Sequence, residues 1–160
     1  MKEMKLIPGF QIDHEILTPG IYISRIDGDI TTYDIRMKAP NQGDFLTNSA
    51  IHTIEHIFAT YVRNTEFGDN IVYFGPKGSR TGFDFITRRL TDNYSVQLIK
   101  DGFQYVAEFW GRIPGASIKE CGNSIEHNLP TAKEEAKKFL EVIKDWTKDD
   151  LKYPTSEKEE

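Results

Sequence analysis

The sequence predicts an α+β domain in which an antiparallel β-sheet is covered by helices. Two observations indicate this class: short segments of alternating apolar residues occur in pairs joined by turn signals, and segments with helical periodicity separate and follow those pairs. The chain has 160 residues, of which 38% are hydrophobic, so one domain can bury a substantial core. We place this domain at residues 1–146.

Four strands are predicted. The first pair covers residues 21–26 (IYISRI) and 30–37 (ITTYDIRM), and the DGD between them is a hairpin signal. The second pair covers residues 70–75 (NIVYFG) and 81–86 (TGFDFI), separated by a loop that contains glycine and proline. Strands grouped in this way are expected to pair antiparallel.

Three helices are predicted around these strands. The first spans residues 49–63 and the second spans Tyr94–Trp110, because apolar residues recur in both at helical spacing. The third starts near Asn128, a possible N-cap, with Pro130 in its first turn. One apolar stripe marks this helix: Ala132, Ala136, Phe139, Leu140, Ile143 and Trp146.

The chain ends and the overall charge limit the possible partners. Residues 147–160, TKDDLKYPTSEKEE, are charged and poor in large apolar residues, which predicts a mobile tail. No segment resembles a secretory signal or a membrane span of about 20 apolar residues, so we expect a cytoplasmic protein. The net charge of −5 and the pI near 5.4 argue against binding to nucleic acid or an anionic membrane.

The most informative segment is AIHTIEHIF, residues 50–58. In a helix its apolar residues form one side, and His52 and His56 lie together on the other side with Glu55 beside them. Two imidazoles one turn apart can bind one divalent ion, and the carboxylate can act as a base. The same order, His-x-x-Glu-His, occurs in zinc peptidases with the inverted zincin motif. A solvated polar face without metal explains the segment equally well.

A two-histidine site needs a further protein ligand, and Cys121 is the only cysteine of the chain. A free cysteine is commonly a small buried hydrophobe. Here, however, Lys119 and Glu120 precede it and Gly122 and Asn123 follow it, which is not a core setting. Two histidines and one cysteine leave an open position, as a catalytic metal requires.

Five segments, taken together in their order and spacing, resemble the S-ribosylhomocysteine lyase (LuxS) family from about residue 10 to about residue 140. They read FQIDH, TYDIRM, HTIEH, GPKGSRTGF and IPGASIKECGN. The resemblance implies a homodimer of α+β subunits, each with a four-stranded antiparallel sheet, and two identical sites at the dimer interface. It also implies one divalent metal per chain, natively iron(II) and replaceable by zinc or cobalt. The implied ligands are His52, His56 and Cys121.

The family's reaction cleaves the thioether of S-ribosylhomocysteine to homocysteine and dihydroxypentanedione, the precursor of autoinducer-2. By this resemblance, proton transfer is shared between Glu55 and a cysteine of the loop that follows the third strand. The residues matching the substrate pocket are His14 and Arg36. From the residues alone, His14 could equally be an ordinary strand-edge histidine and Arg36 a surface charge.

The loop departs from the family pattern at two positions, because Lys77 replaces a methionine and Ser79 replaces the catalytic cysteine. A serine hydroxyl is a far weaker acid than a thiol, which puts activity in question. An engineered serine, a paralogue with lost or altered chemistry and an active enzyme that uses serine all remain open. Two other functions are therefore kept: an inactive metal-containing binding or sensor protein, and a metallopeptidase, whose usual carboxylate ligand and long substrate groove fit this short chain poorly.

Overall fold

The computed structural model describes residues 4–155, which form one sheet with helices packed mainly on one of its faces. The four strands are β1 (Gly20–Asp27), β2 (Ile30–Arg36), β3 (Ile71–Pro76) and β4 (Gly82–Arg88). The four α-helices are α1 (Pro8–Gln11), α2 (Asn48–Arg63), α3 (Asp92–Glu108) and α4 (Leu129–Ile143). Short 3-10 turns cover Gly68–Asn70 and Lys148–Asp150.

The strands lie in the order β1-β2-β4-β3, and every neighbouring pair is antiparallel. This confirms the predicted α+β class and the four-stranded antiparallel sheet. The β1–β2 hairpin turns at Gly28, whose φ of 62° lies in the left-handed region that glycine adopts without strain.

The core lies between one face of the sheet and the helices. Alternation along β4 points Phe83 and Phe85 into this core, and both are fully buried. Helix α2 contributes Phe58, whose ring stacks on Phe74 of β3 at 4.2 Å and meets the edge of Phe85 at 5.5 Å. The polar residue between the two phenylalanines, Asp84, therefore points to the opposite face of the sheet.

Helix α4 begins where its capping residue predicts. Asn128 caps α4, since its side chain accepts a hydrogen bond from the Thr131 N–H at 3.1 Å. The second predicted helix has the right length but is displaced by two residues: α3 spans Asp92–Glu108, and Trp110 is 86% exposed instead of completing the apolar stripe. No helix within residues 4–155 is long and apolar enough to cross a membrane.

Residues 147–155 extend the folded unit beyond the boundary predicted near Trp146. The Leu151 side chain is buried, and its carbonyl accepts a hydrogen bond from the Ile23 N–H at 2.8 Å. The Tyr153 hydroxyl donates to the buried Asp34 carboxylate at 2.6 Å. Composition suggested a tail because this segment has few apolar residues, yet those few pack against β1. The predicted tail residues 156–160 lie outside the described part of the chain.

Candidate metal centre

Helix α2 presents two histidines to the long loop between α3 and α4. The helix starts after Thr47, whose side chain accepts a hydrogen bond from the Ala50 N–H at 3.2 Å. Because one side of the helix is buried in the core, His52 and His56 lie together on the opposite side, one turn apart and partly accessible. The buried side consists of Ile51, Ile54, Ile57, Phe58 and Val62.

The loop brings Cys121 against these two imidazoles. The two Nε2 atoms of His52 and His56 are 3.0 Å apart. Cys121 Sγ lies 3.3 Å from the first Nε2 and 3.9 Å from the second. The three residues that the sequence proposes as ligands therefore converge, although 69 positions separate Cys121 from His52.

Backbone carbonyls fix the orientation of both rings. His52 Nδ1 lies 2.8 Å from the Glu126 carbonyl oxygen, and His56 Nδ1 lies 2.8 Å from the Pro114 carbonyl oxygen. A carbonyl can only accept, so both rings carry a proton on Nδ1. In each neutral ring the Nε2 lone pair is then free and points at the other ring and at Cys121.

This donor set fits a divalent metal ion. When both rings are neutral with Nδ1 protonated, the two Nε2 atoms 3.0 Å apart carry only lone pairs, which repel each other unless a cation lies near both. In tetrahedral zinc sites the ligand atoms are separated by about 3.4 Å for two nitrogens and about 3.6 Å for nitrogen and sulfur, as bond lengths imply. The observed separations are close to these values. Ligating histidines also commonly donate Nδ1–H to a carbonyl, as both do here.

Glu55 lies on α2 between the two histidines and is partly accessible. Its carboxylate makes no hydrogen bond or ion pair with any residue in the range 4–155. Within that range the carboxylate is therefore not held by a structural partner.

A second group of predicted residues lines a cavity of about 780 Å³. His14, Arg36 and Ser79 all line it. His14 is oriented by its Nδ1, which lies 2.9 Å from the Ile12 carbonyl oxygen. Ser79 Oγ lies 2.8 Å from Thr81 Oγ1. The sequence proposed these three positions separately, and the fold gathers them around one cavity.

A buried charge network supports this cavity. Arg36 is 3% exposed and donates to the Asp34 carboxylate at 2.7 Å. It is therefore buried, and the alternative interpretation of Arg36 as a surface charge is wrong. Lys77 Nζ lies 2.5 Å from the Asp84 carboxylate and 3.5 Å from that of Asp34. Burial and the neighbouring Asp34 carboxylate raise the pKa of the Tyr153 hydroxyl, which therefore stays neutral and donates.

Comparison with known proteins decides the family. The family model described as S-Ribosylhomocysteinase (LuxS) matches residues 7–150. This chain belongs to the LuxS family. It is similar to proteins named S-ribosylhomocysteine lyase, with 49% identity to that of Phocaeicola vulgatus over 96% of this chain and 100% of the relative. The protein of Borreliella afzelii is 49% identical over 94% of this chain and 100% of the relative. That of Clostridium acetobutylicum is 42% identical over 94% of this chain and 99% of the relative.

The LuxS match favours the lyase interpretation over the peptidase and inactive-binder hypotheses. It covers nearly the whole chain, whereas the peptidase hypothesis rested on the order of residues within one short segment of α2. The match includes the loop with Lys77 and Ser79, so both substitutions relative to the family pattern lie inside the LuxS domain.

Within one LuxS chain the two groups of site residues do not meet. The cavity is lined by Asp84 and Ile86 of β4 and lies on the face of the sheet opposite Phe83 and Phe85. Helix α2 packs against that other face through Phe58. Neither Glu55 nor any of the proposed metal ligands lines the cavity. The sheet and its core therefore separate the cavity from α2 and its two histidines within one chain.

His127 belongs to the metal centre of this LuxS chain and was missed by the sequence analysis. Ligand atoms of His52, His56, Cys121 and His127 all lie within 4.8 Å of one another. Burial, with the neighbouring His52 and His56, lowers the pKa of His127 and favours its neutral form. The available signal was weak: a third histidine lies six residues after Cys121, directly before the α4 N-cap.

Proposed function

We propose that this chain is a metal-dependent S-ribosylhomocysteine lyase, which releases homocysteine and dihydroxypentanedione. The observation that carries the proposal is the convergence of His52, His56 and Cys121 in a chain whose residues 7–150 match the LuxS family. We further propose that the reaction is cytoplasmic, that dihydroxypentanedione serves as the autoinducer-2 precursor and that homocysteine returns to the methionine cycle.

The chemistry follows from the residues of the two groups. A divalent ion held by His52, His56 and Cys121 supplies Lewis acidity, which makes C–H bonds beside a sugar carbonyl more acidic. Glu55 takes a proton from one carbon and returns it to the next, so that the carbonyl moves along the ribose chain. Glu55 then takes the proton of the carbon next to the C–S carbon, and that C–H electron pair forms a C=C bond. The sulfur leaves with the electrons of the C–S bond, and the homocysteine thiolate takes up the proton.

The cavity residues bind and orient the substrate in this proposal. Arg36, held by Asp34 and Thr81, offers a fixed cation, and His14 offers a ring nitrogen for sugar hydroxyls. Ser79 occupies the position of the second proton carrier. Incubation of S-ribosylhomocysteine with the metal-loaded protein, followed by titration of new thiol, tests the whole assignment. No thiol above the buffer rate would favour the inactive metal-containing binding or sensor protein, which Ser79 keeps as the second candidate.

The metal assignment makes a direct prediction. Purified protein should contain about one equivalent of divalent metal per chain, iron(II) after anaerobic purification and zinc or cobalt after exchange. His56→Ala removes one of three ligands and should lower the metal content to below about a third of an equivalent. Elemental analysis measures both values.

Two controls make the metal prediction specific. His14→Ala also removes a histidine but should retain the metal, because His14 lies in the cavity and not in the metal centre. Iodoacetamide should alkylate Cys121 slowly in the loaded protein and rapidly after chelation, since a bound sulfur is not free to react. Equal alkylation rates in the two states would remove Cys121 from the ligand set.

We also propose that the active unit is a homodimer. The cavity and α2 lie on opposite sides of the sheet, so two chains are needed to place the cavity of one beside the metal centre of the other. Two-fold symmetry then forms two identical sites. In each site His14, Arg36 and Ser79 come from one chain, and Glu55 and the metal ligands come from its partner.

This arrangement predicts complementation between inactive variants. A heterodimer of His14→Ala and Glu55→Gln chains carries both lesions in one site and none in the other. Random mixing of the two variants should therefore restore about a quarter of wild-type activity. Thiol release after mild dissociation and reassociation of the mixture is the measurement.

The matched control pairs Glu55→Gln with His56→Ala. Both residues belong to the same half of the site, so every heterodimer site carries one lesion and activity should stay absent. Restoration in this control, or a monomeric mass for wild type in light scattering at micromolar concentration, would contradict the shared site.

A further inference from the structure

The third imidazole of the centre, His127, differs from the other two in its surroundings. Its ring stacks on the His52 ring, with centroids 4.1 Å apart and an angle of 19° between the planes. Its Nδ1 lies 3.0 Å from the hydroxyl oxygen of Thr53 on α2, a fully buried side chain. Its Nε2 is buried and has no hydrogen-bond partner among residues 4–155.

The hydrogen bonds of Thr53 decide which nitrogen of His127 carries the proton. Thr53 Oγ1 accepts from the Asn128 N–H at 2.9 Å, and a backbone N–H can only donate. Within residues 4–155 the remaining contact of this buried hydroxyl is His127 Nδ1, so the hydroxyl proton has a partner only if it is donated to that nitrogen. His127 Nδ1 is then the acceptor, and the neutral ring carries its proton on Nε2.

This tautomer is the opposite of that of His52 and His56. Those two rings face carbonyls through Nδ1 and keep a free lone pair on Nε2, whereas His127 faces a hydroxyl and keeps an N–H there. A protonated nitrogen cannot bind a metal ion. Stacking also places the His127 and His52 rings in nearly parallel planes, one above the other. An ion bound by a ring nitrogen lies close to the plane of that ring, so one ion cannot lie in both planes.

We propose that His127 is a hydrogen-bond donor of the metal centre and not a fourth ligand, with Nε2–H directed to an oxygen in the open position. In the metal-loaded protein this would be a water oxygen before substrate binds and an oxygen of the sugar afterwards. Cys121 Sγ is not the acceptor, because Nε2 has no partner although the sulfur belongs to the same cluster. The sugar part of this inference rests on the proposed lyase function.

A donor at this place acts on the step that Glu55 performs. When Glu55 removes a proton from carbon, the C–H electron pair moves toward the neighbouring carbonyl oxygen, which becomes more negative. A fixed N–H beside that oxygen stabilises the charge without transferring its proton. The Thr53 and Asn128 contacts hold the ring before substrate arrives, so the donor needs no reorganisation.

Nitrogen-15 NMR of the zinc-loaded protein tests the tautomers without any turnover. Long-range proton–nitrogen spectra of histidine-labelled protein distinguish a protonated Nε2 from a protonated Nδ1. The expected result is Nδ1–H for His52 and His56 and Nε2–H for His127. A His127 ring with its proton on Nδ1, or with Nε2 bound to zinc, would overturn the proposal. An inactive protein with the expected tautomers would refute the lyase assignment but not the donor.

Two substitutions test the role of the donor. His127→Leu removes it and should lower kcat by about 10²-fold, while His127→Gln retains an N–H near the same place and should recover most of that loss. Neither should change zinc affinity by more than about threefold or alter the visible spectrum of the cobalt-substituted protein, because no ligand is lost and the backbone carbonyls that orient His52 and His56 are untouched. A large loss of metal affinity in both folded variants would instead identify His127 as a ligand.

Discussion

Glu55→Gln is expected to lower kcat for homocysteine release by about 10²- to 10⁴-fold, the usual contribution of a positioned acid–base group. The amide has nearly the shape of the carboxylate but cannot accept a proton. Glu55 makes no hydrogen bond or ion pair within residues 4–155 that the substitution would break, so folding should be unaffected. The measurement is single-turnover thiol release by the metal-loaded variant.

Metal content and melting temperature serve as controls for this variant. Glu55 is not among the residues that converge on the candidate ion, so Glu55→Gln should bind as much metal as wild type. A variant that retains metal and still releases homocysteine at the wild-type rate would exclude Glu55 as the base. Loss of metal would show that the carboxylate is a ligand instead.

Ser79→Cys is expected to raise homocysteine release by at least about a hundredfold. A thiol can release and accept a proton near neutral pH, whereas a serine hydroxyl needs an adjacent base. Ser79 has no such base among residues 4–155: its side chain contacts Thr81, whose oxygen also accepts from Arg36. Steady-state thiol release by the two proteins measures the effect.

Lys77 provides the matched control for this gain. Lys77→Met restores the other family residue of the loop but supplies no proton carrier, so alone it should raise the rate far less than Ser79→Cys. Lys77→Met also breaks the ion pairs with Asp84 and Asp34, so its melting temperature must be compared with that of wild type to exclude a loss of stability. If the variant that combines Lys77→Met with Ser79→Cys still releases homocysteine slowly, other cavity residues have diverged as well and a binding role is favoured. Fast turnover by the unmodified chain would mean that Glu55 carries the protons without a thiol.

Features with local causes were predictable from the sequence. Helix α2, the α4 N-cap at Asn128 and the four strands follow from periodicity, capping and turn residues within a few positions of each other. The helical repeat also placed His52 and His56 on one side of α2. Glu55 was indicated as a base by the same segment, whereas His14, Arg36 and Ser79 came only from family resemblance; the chemical roles of all four remain proposals.

Contacts between distant segments were decided only by the tertiary structure. No local pattern shows that His127 stacks on His52, because that contact depends on how the loop before α4 returns to α2. Leu151 and Tyr153 read as parts of a charged tail, yet β1 and the buried Asp34 give them partners. The separation of the cavity from α2 likewise follows from strand order and from the alternation of side chains across the sheet, since only a folded sheet has two faces.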